Sequence, residues 1–244
     1  MAYPRVASFK QHDDFVSHLA NLGIEFPCDE QVVTSSNPLA DPLHIDGQTI
    51  GNRFCILPME GWDGTRDGKP TDLTRRRWHN FGLSGAKLMW GGEAVAVRSD
   101  GRANPNQLMI SAENLADIES LRLELSKAHR ANFGRDDDLV GGLQLTHSGR
   151  YARPNQKSVS EPRTVQRNPA LDARLGIDDG TALFSDDELQ DLVDDFINAA
   201  VLAQQAGFQF VDIKHCHGYL GHELLSGVDR AGRFGGSFEN RTRF

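Results

Sequence analysis

The sequence lacks any long apolar run. No window approaches the roughly 18 consecutive apolar residues that a membrane-spanning helix needs. The opening residues, MAYPRVASFKQHDDF, also lack the apolar segment of a secretory signal. We therefore expect a cytoplasmic protein without a membrane partner.

Cysteine is scarce and positive charge is in deficit. The 244 residues include three cysteines, Cys28, Cys55 and Cys216, an odd number at wide spacing. Such cysteines fit free thiols in a reducing compartment better than a disulfide framework. The formal net charge of −8 argues against nucleic acid or an anionic membrane as the main partner. What is left is a globular protein long enough for one sizeable core.

The chain does contain an alternation of strand and helix patterns. An amino-terminal helix at 9–22 is followed by a hairpin within 44–59, with Asp46 and Gly47 at its turn. Apolar periodicity then predicts helices at 73–86, 114–134 and 185–207, and strands at 87–90, 138–145 and 208–213, the first of which runs into glycines. This order predicts an α/β fold with a parallel sheet, either doubly wound or a barrel. We place a helical extension at 1–43 and the α/β domain at 44–244.

In both architectures, functional residues cluster beyond the carboxyl ends of the strands. Those ends fall at 58–63, 91–94, 144–150 and 214–219. The connection from Thr146 to Phe184 has little periodicity and starts at a strand end. Because the connection over 146–184 is long, we interpret it as a lid or a binding loop rather than a disordered insertion.

The stretch IKHCHGYLGHELL, residues 213–225, combines three histidines with a lysine and a tyrosine. Its ligand spacing is poor for zinc, and we expect no metal. As a strand end, strict alternation puts His215 and His217 on one face. Lys214, His217 and Tyr219 could then donate to a substrate oxygen that gains negative charge. A polar strand terminus bonded to neighbouring loops fits equally well.

Three other strand ends carry weaker signals. Gln144 could pair its amide with a planar heterocycle, or be an ordinary core glutamine. Gly91 and Gly92 permit close approach of a flat ligand, although glycine pairs also make plain turns. Glu60 and Trp62 follow the first strand, where a simple loop is the more common explanation.

Four stretches taken together resemble the old yellow enzyme family, the NADH:flavin oxidoreductases and NADH oxidases. They are NRFCILPM (52–59), EAVAVRSDGR (93–102), QLTHSGR (144–150) and HGYLGHELLS with RAGRFGGSFENRTRF (217–244). The resemblance implies a TIM (β/α)8 barrel that binds FMN. It further implies that hydride passes from NADH or NADPH through the flavin to a small substrate with an activated double bond.

The resemblance also assigns site residues. Pro58 and Met59 would lie beside the flavin ring, Ala94 near its face or edge, and Gln144 at its pyrimidine edge. Lys214 and His217 would be the two donors to the substrate oxygen. Tyr219 would deliver the proton that completes reduction.

The sequence departs from the family at this site. Lys214 stands where histidine is typical, and Glu60 where threonine or cysteine is common near the flavin. An ionised Glu60 would disfavour an anionic reduced flavin, unless it pairs with Lys214. Gly232 and Phe234 also replace a usual acid and tyrosine. The alternative substrate is therefore an amine, with Glu60 and Trp62 gripping the cation in a dehydrogenase or N-demethylase.

A closed barrel of this kind needs eight strands, whereas the pattern shows four. We expect about the first four βα units, hence an incomplete barrel in the amino-terminal part of a longer enzyme. A second copy completing the barrel as a homo-oligomer is the alternative. A third possibility is an inactive truncated paralogue or binding subunit.

Overall fold

A computed structural model describes residues 3–30 and 37–244, and the backbone divides into units 1–41 and 42–244. In the first unit a short 3-10 turn, Val6–Ser8, precedes α1, His12–Asn21. The ring of Phe15 lies 5.7 Å from that of Phe9 and 6.5 Å from that of Phe26, centroid to centroid. The predicted amino-terminal helix is thus confirmed, although it begins three residues later than expected.

The second unit opens with an antiparallel hairpin of β1, Leu43–Ile45, and β2, Gln48–Ile50. Asp46 and Gly47 connect the strands with φ angles of 48° and 80°. Two consecutive positive φ angles define the tight turn that matches the twist of a hairpin. The Asp46–Gly47 turn is therefore confirmed.

A parallel sheet follows, composed of β3 (Cys55–Ile56), β4 (Leu88–Met89), β5 (Ala94–Ala96), β6 (Val140–Thr146) and β7 (Phe210–Ile213). Both β4 and β5 pair with β6, through Leu88 with Val140 and Ala94 with Gln144. On the other side of β6, Gly142 pairs with Phe210 of β7. The sheet is parallel throughout, as predicted.

The strand expected at 87–90 is confirmed as β4, but the sequence did not predict that β5 follows it end to end along β6. Gly91 and Gly92 separate the two strands with φ angles of 82° and 47°. A Cβ on Gly91 would lie 2.8 Å from that of Gln144, closer than a side chain permits. Glycine at this point therefore allows the backbone between β4 and β5 to approach β6 and Gln144 closely.

Helices follow the strands and cover one face of the sheet. They are α2 (Asp72–Leu83), α3 (Leu115–Phe133), α4 (Pro169–Leu175), α5 (Asp186–Gln205), α6 (Leu220–Leu225) and α7 (Phe238–Arg241). Leu143 and Leu145 of β6 join Ile118 of α3 and Leu192 of α5 in one buried cluster. The predicted helix at 185–207 is confirmed as α5, and at its start Ser185 and Glu188 form a capping box.

The opposite face of the sheet carries apolar side chains that the described helices do not bury. Trp90 packs on Phe210 with ring centroids 5.2 Å apart, while Leu57 is 67% exposed. In a closed barrel this face points to the interior. The fold is therefore α/β of the TIM-barrel type, with the first four βα units present. Within residues 3–30 and 37–244, no helix is both long and apolar enough to cross a bilayer.

Candidate functional site

The strand ends meet at one edge of the sheet. The amide of Ala94 donates to the carbonyl of Met59 at 2.9 Å, so the ends of β3 and β5 are neighbours. Ala94 is in register with Gln144, and Gln144 with Asp212. The residues proposed to contact the flavin, Pro58, Met59, Ala94 and Gln144, therefore lie side by side along this edge.

The carboxylate of Glu60 is the hub of the site. Its Oε1 accepts a hydrogen bond from the Lys214 ammonium in a buried ion pair. Its Oε2 accepts from the Tyr219 hydroxyl at 2.8 Å and from the Trp62 indole nitrogen at 3.1 Å. The Lys214 ammonium also lies 4.4 Å from the centroid of the Tyr219 ring. One carboxylate thus holds a cation, a phenol and an indole in place.

Tyr219 is held in its protonated form. Burial is the main cause that raises the pKa of its phenol, and the adjacent negative charge of Glu60 raises the pKa further. The hydroxyl consequently remains a hydrogen-bond donor far above neutral pH. A protonated phenol at the edge of a cavity can give up its proton to a developing carbanion.

A tight turn presents His217 and Tyr219 to the same side. The strand ends at Ile213, and the amide of Tyr219 donates to the carbonyl of Cys216 at 3.1 Å. Between them, His217 and Gly218 have φ angles of 62° and 70°. Left-handed backbone is uncommon for histidine and costs energy, so this geometry is a specific feature of the strand end. The alternation expected for residues 215–217 stops at this turn.

A cavity of about 310 Å³ opens beside this turn. Its walls are aromatic and basic: Trp62, Tyr151 and Tyr219, then Arg153, Lys157 and His217, with Ala103 and Asn104 between them. Tyr151, Arg153 and Lys157 come from the long connection that the sequence indicated as a lid or binding loop. Its position at the cavity is consistent with a binding loop.

The two expected donors are placed differently. His217 lines the cavity, but Lys214 does not, because it is directed at Glu60 and is only 8% exposed. The two side chains therefore do not converge on one substrate oxygen in this arrangement. The alternative in which Lys214 pairs with Glu60 is the one that the geometry supports.

The other histidines of the stretch have local partners. The His215 ring nitrogen Nδ1 lies 3.0 Å from the carbonyl of Ile213, and the Gly218 amide donates to His222 at 2.9 Å. In residues 3–30 and 37–244, no three His, Cys, Asp or Glu side chains are grouped so as to hold a metal ion.

A half-buried arginine, Arg77, fixes the loop that carries Glu60, and sequence reasoning missed it. Arg77 of α2 bonds to Asp63 at 2.5 Å and to Glu93 at 2.5 Å. The other oxygen of Glu93 accepts from the Gly61 amide at 2.8 Å. Burial raises the pKa of Glu93, although Arg77 opposes this shift. The only sequence feature that could have indicated this network was the acidic Glu93 directly after Gly91 and Gly92.

The strand-end residues fit the edge of a flavin ring. Gln144 donates its amide nitrogen to Asp212 at 2.6 Å, and within the described residues its amide oxygen has no hydrogen-bond partner. The Met59 side chain is 55% exposed at the same edge, and Gly91 keeps the backbone close. A flat heterocycle with both a donor and an acceptor on one edge matches this combination.

Comparisons with known proteins show the family of the chain. The family model of the NADH:flavin oxidoreductase / NADH oxidase family matches residues 38–244. A NADH:flavin oxidoreductase of Gibberella zeae is 30% identical over 227 residues, covering 86% of this chain and 52% of that protein. An NADPH dehydrogenase of Bacillus cytotoxicus is 30% identical over 211 residues, covering 84% and 56%.

Solved structures show the same fold. Morphinone reductase superposes with a TM-score of 0.65 at 25% identity, over 86% of this chain and 57% of that one. Old Yellow Enzyme from Pichia sp. AKU4542 gives a TM-score of 0.65 at 19% identity, over 86% and 54%. The chain thus spans about half the length of the curated relatives and structures that it matches.

Proposed function

The chain belongs to the NADH:flavin oxidoreductase / NADH oxidase family, and we propose that the full-length protein is an FMN-dependent NAD(P)H oxidoreductase that reduces an activated carbon–carbon double bond. The observation that carries the proposal is the protonated Tyr219 phenol beside an aromatic cavity, held by Glu60 and Lys214. Because the chain covers about half of its relatives, the proposal concerns the whole protein.

The residues of this chain divide the work between binding and proton delivery. Met59, Ala94 and Gln144 would hold the flavin ring along the sheet edge. The bound flavin would supply the hydride that it takes from the nicotinamide. His217 would hydrogen-bond the carbonyl oxygen that activates the double bond, and Tyr219 would protonate the carbon next to that carbonyl through its hydroxyl.

Glu60 and Lys214 act through Tyr219 in this proposal. Glu60 orients the phenol, and Lys214 offsets the negative charge that would otherwise oppose loss of the phenolic proton. To reach the substrate, the hydroxyl must turn from Glu60 Oε2 towards the cavity. Lys214 is therefore proposed as a positioning residue and Tyr219 as a catalytic one.

An activated alkene suits the site better than an amine. The carboxylate of Glu60, which would have to grip a cationic substrate, already accepts hydrogen bonds from Lys214, Tyr219 and Trp62. The cavity itself is lined by Arg153 and Lys157, which repel a cation. Neither feature supports an amine dehydrogenase or N-demethylase.

The proposal is tested with the purified full-length protein. We expect FMN in the denatured supernatant, bleaching of the visible absorbance by NADH or NADPH without oxygen, and recovery of absorbance on adding cinnamaldehyde. Trimethylamine should leave the oxidised absorbance unchanged. Absence of bound FMN, or bleaching by trimethylamine with no response to cinnamaldehyde, would overturn the proposal.

A further inference from the structure

The cavity is also lined by two cations that the proposed chemistry does not use. Arg153 and Lys157 lie in the loop after β6 and line the same cavity as Tyr219. Within residues 3–30 and 37–244, neither side chain forms an ion pair with a carboxylate. The protein has a formal net charge of −8, whereas the residues that line this cavity include two cations and no carboxylate.

Hydrogen bonds to the backbone hold the loop segment that carries Arg153 and Lys157 beside the cavity. The Arg153 amide donates to the carbonyl of Arg102 at 2.8 Å, and its guanidinium to the carbonyl of Lys157 at 3.2 Å. Arg66 donates to the carbonyl of Asn155 at 2.8 Å. The nearby carboxylate of Glu161 accepts hydrogen bonds from the Asn155 amide at 2.9 and 3.1 Å.

The aromatic side chains that line the same cavity suit a flat molecule. Trp62 and Tyr151 contribute aromatic walls, and the Tyr151 and Tyr219 ring centroids are 6.1 Å apart. A planar unsaturated body can contact these rings along its length. Its reactive end would then lie at Tyr219 and His217, and its other end at Arg153 and Lys157.

The geometry points to an anion-binding subsite, in which Arg153 and Lys157 bind a carboxylate or phosphate on the substrate, at the end remote from its double bond. This inference rests on the proposed function and adds a substrate class to it, namely planar unsaturated carbonyl compounds with an anionic tail. Phosphate groups are also present on NADH and NADPH, so the experiment has a separate arm for the reductant.

The experiment compares 4-carboxycinnamaldehyde with its methyl ester on the FMN-loaded full-length protein. The variant is Arg153→Gln with Lys157→Gln. The matched control is Arg76→Gln with Lys127→Gln, which removes the same two charges from exposed positions on α2 and α3. The readouts are reoxidation rates of the reduced protein, calorimetric binding of both compounds to the oxidised protein, and bleaching rates with NADH and NADPH.

We expect the wild type and the control to bind and reduce the acid about tenfold better than the ester, because charge-assisted hydrogen bonds stabilise the anion. The Arg153/Lys157 variant should lose this preference and keep the ester rate within about twofold. Equal treatment of acid and ester by the wild type would overturn the inference. So would an effect of the variant on NADPH or NADH bleaching alone.

Binding separates this inference from the proposed function. If neither compound reoxidises the protein but the acid still binds tighter through Arg153 and Lys157, the subsite stands and the alkene reductase proposal fails. If both compounds are reduced at equal rates and bind equally, the function stands and the subsite fails.

Discussion

Two buried lysines, one at each end of the sheet, are each paired with a neighbouring carboxylate. Lys87 precedes β4 at the amino end and Lys214 follows β7 at the carboxyl end, and each is 8% exposed. Lys87 donates to Asp138 at 2.7 Å, and Lys214 forms its ion pair with Glu60. Burying an unpaired charge destabilises a fold, so each carboxylate offsets the cost of burying its lysine.

The two lysine–carboxylate pairs differ in the third side chain that each pair contacts. The ammonium of Lys87 lies 2.8 Å from the ring nitrogen Nε2 of His129. Burial lowers the pKa of His129, and its Nδ1 donates to the carbonyl of Gly82. His129 is fully buried, so this set is closed. The carboxylate beside Lys214 is instead shared with Tyr219, which faces a cavity. The same pair is structural at one end and is tied to a proton donor at the other.

The largest expected effect is a difference in the rate of substrate reduction between variants of the two lysines. Lys214→Met leaves Glu60 uncompensated beside Tyr219, which disfavours loss of the phenolic proton. We expect a fall of about 10- to 100-fold in substrate reduction, a part of the 10²- to 10⁴-fold that general acid catalysis contributes. Lys87→Met should change this rate less than about threefold. Single-turnover reoxidation of the full-length protein measures both, and equal losses would erase the distinction.

Replacing both members of a pair sharpens the comparison. Each single lysine variant should lower the free energy of unfolding by about 3–5 kcal/mol, because it leaves a buried charge alone. The doubles Lys87→Met with Asp138→Leu, and Lys214→Met with Glu60→Leu, should recover most of this loss. Denaturant titration measures the recovery. Only the first double should retain substrate reduction; recovery of activity in the second would show that its pair is structural.

The titration of Tyr219 gives a smaller and more local effect. Because burial and then Glu60 raise the pKa of its phenol, Glu60→Gln should lower that pKa and Asp138→Asn should not. Above about pH 10 an unfolded tyrosine loses its proton while folded Tyr219 keeps it, so this contribution to stability falls as pH rises. Tyrosinate absorbance, taken as a difference from Tyr219→Phe, should show these shifts; identical curves for both carboxylate variants would contradict them.

The smallest expected effect is a loss of stability far from the site, which serves as a control for the other variants. Ser185→Ala removes the cap of α5, where the Ser185 hydroxyl accepts from the Glu188 amide at 3.2 Å. We expect a loss of about 1 kcal/mol in the free energy of unfolding and an unchanged reduction rate. A slower reaction in this variant would mean that stability alone affects turnover, and the lysine comparison would have to be corrected for it.

Local features of the fold were predictable, because they depend on neighbouring residues. The Asp46–Gly47 turn and the Ser185 cap are each specified within about four positions of sequence. The break at Gly91 and Gly92 was visible only as strand residues running into glycines. Its cause is the approach of Gln144, which lies on another strand.

The candidate site was predictable in part, mainly through the family resemblance. It indicated His217 and Tyr219, which line the cavity, and it left the Glu60–Lys214 pair as an alternative. Alternation failed at residues 215–217 because His217 adopts a left-handed conformation that no pattern of polar residues reveals. The contacts of Arg77 with Asp63 and Glu93 depend on how α2 packs on the strand ends, which the sequence does not specify.

The central claim is that the Tyr219 hydroxyl delivers the proton to the substrate. The most direct measurement is the rate of each half-reaction in Tyr219→Phe, using the full-length FMN-loaded protein under anaerobic conditions. We predict that reduction of the protein by NADH or NADPH stays within about threefold of wild type, and that reoxidation by cinnamaldehyde slows by about 10²- to 10⁴-fold. Equal slowing of both half-reactions, or no slowing of reoxidation, would contradict the assignment.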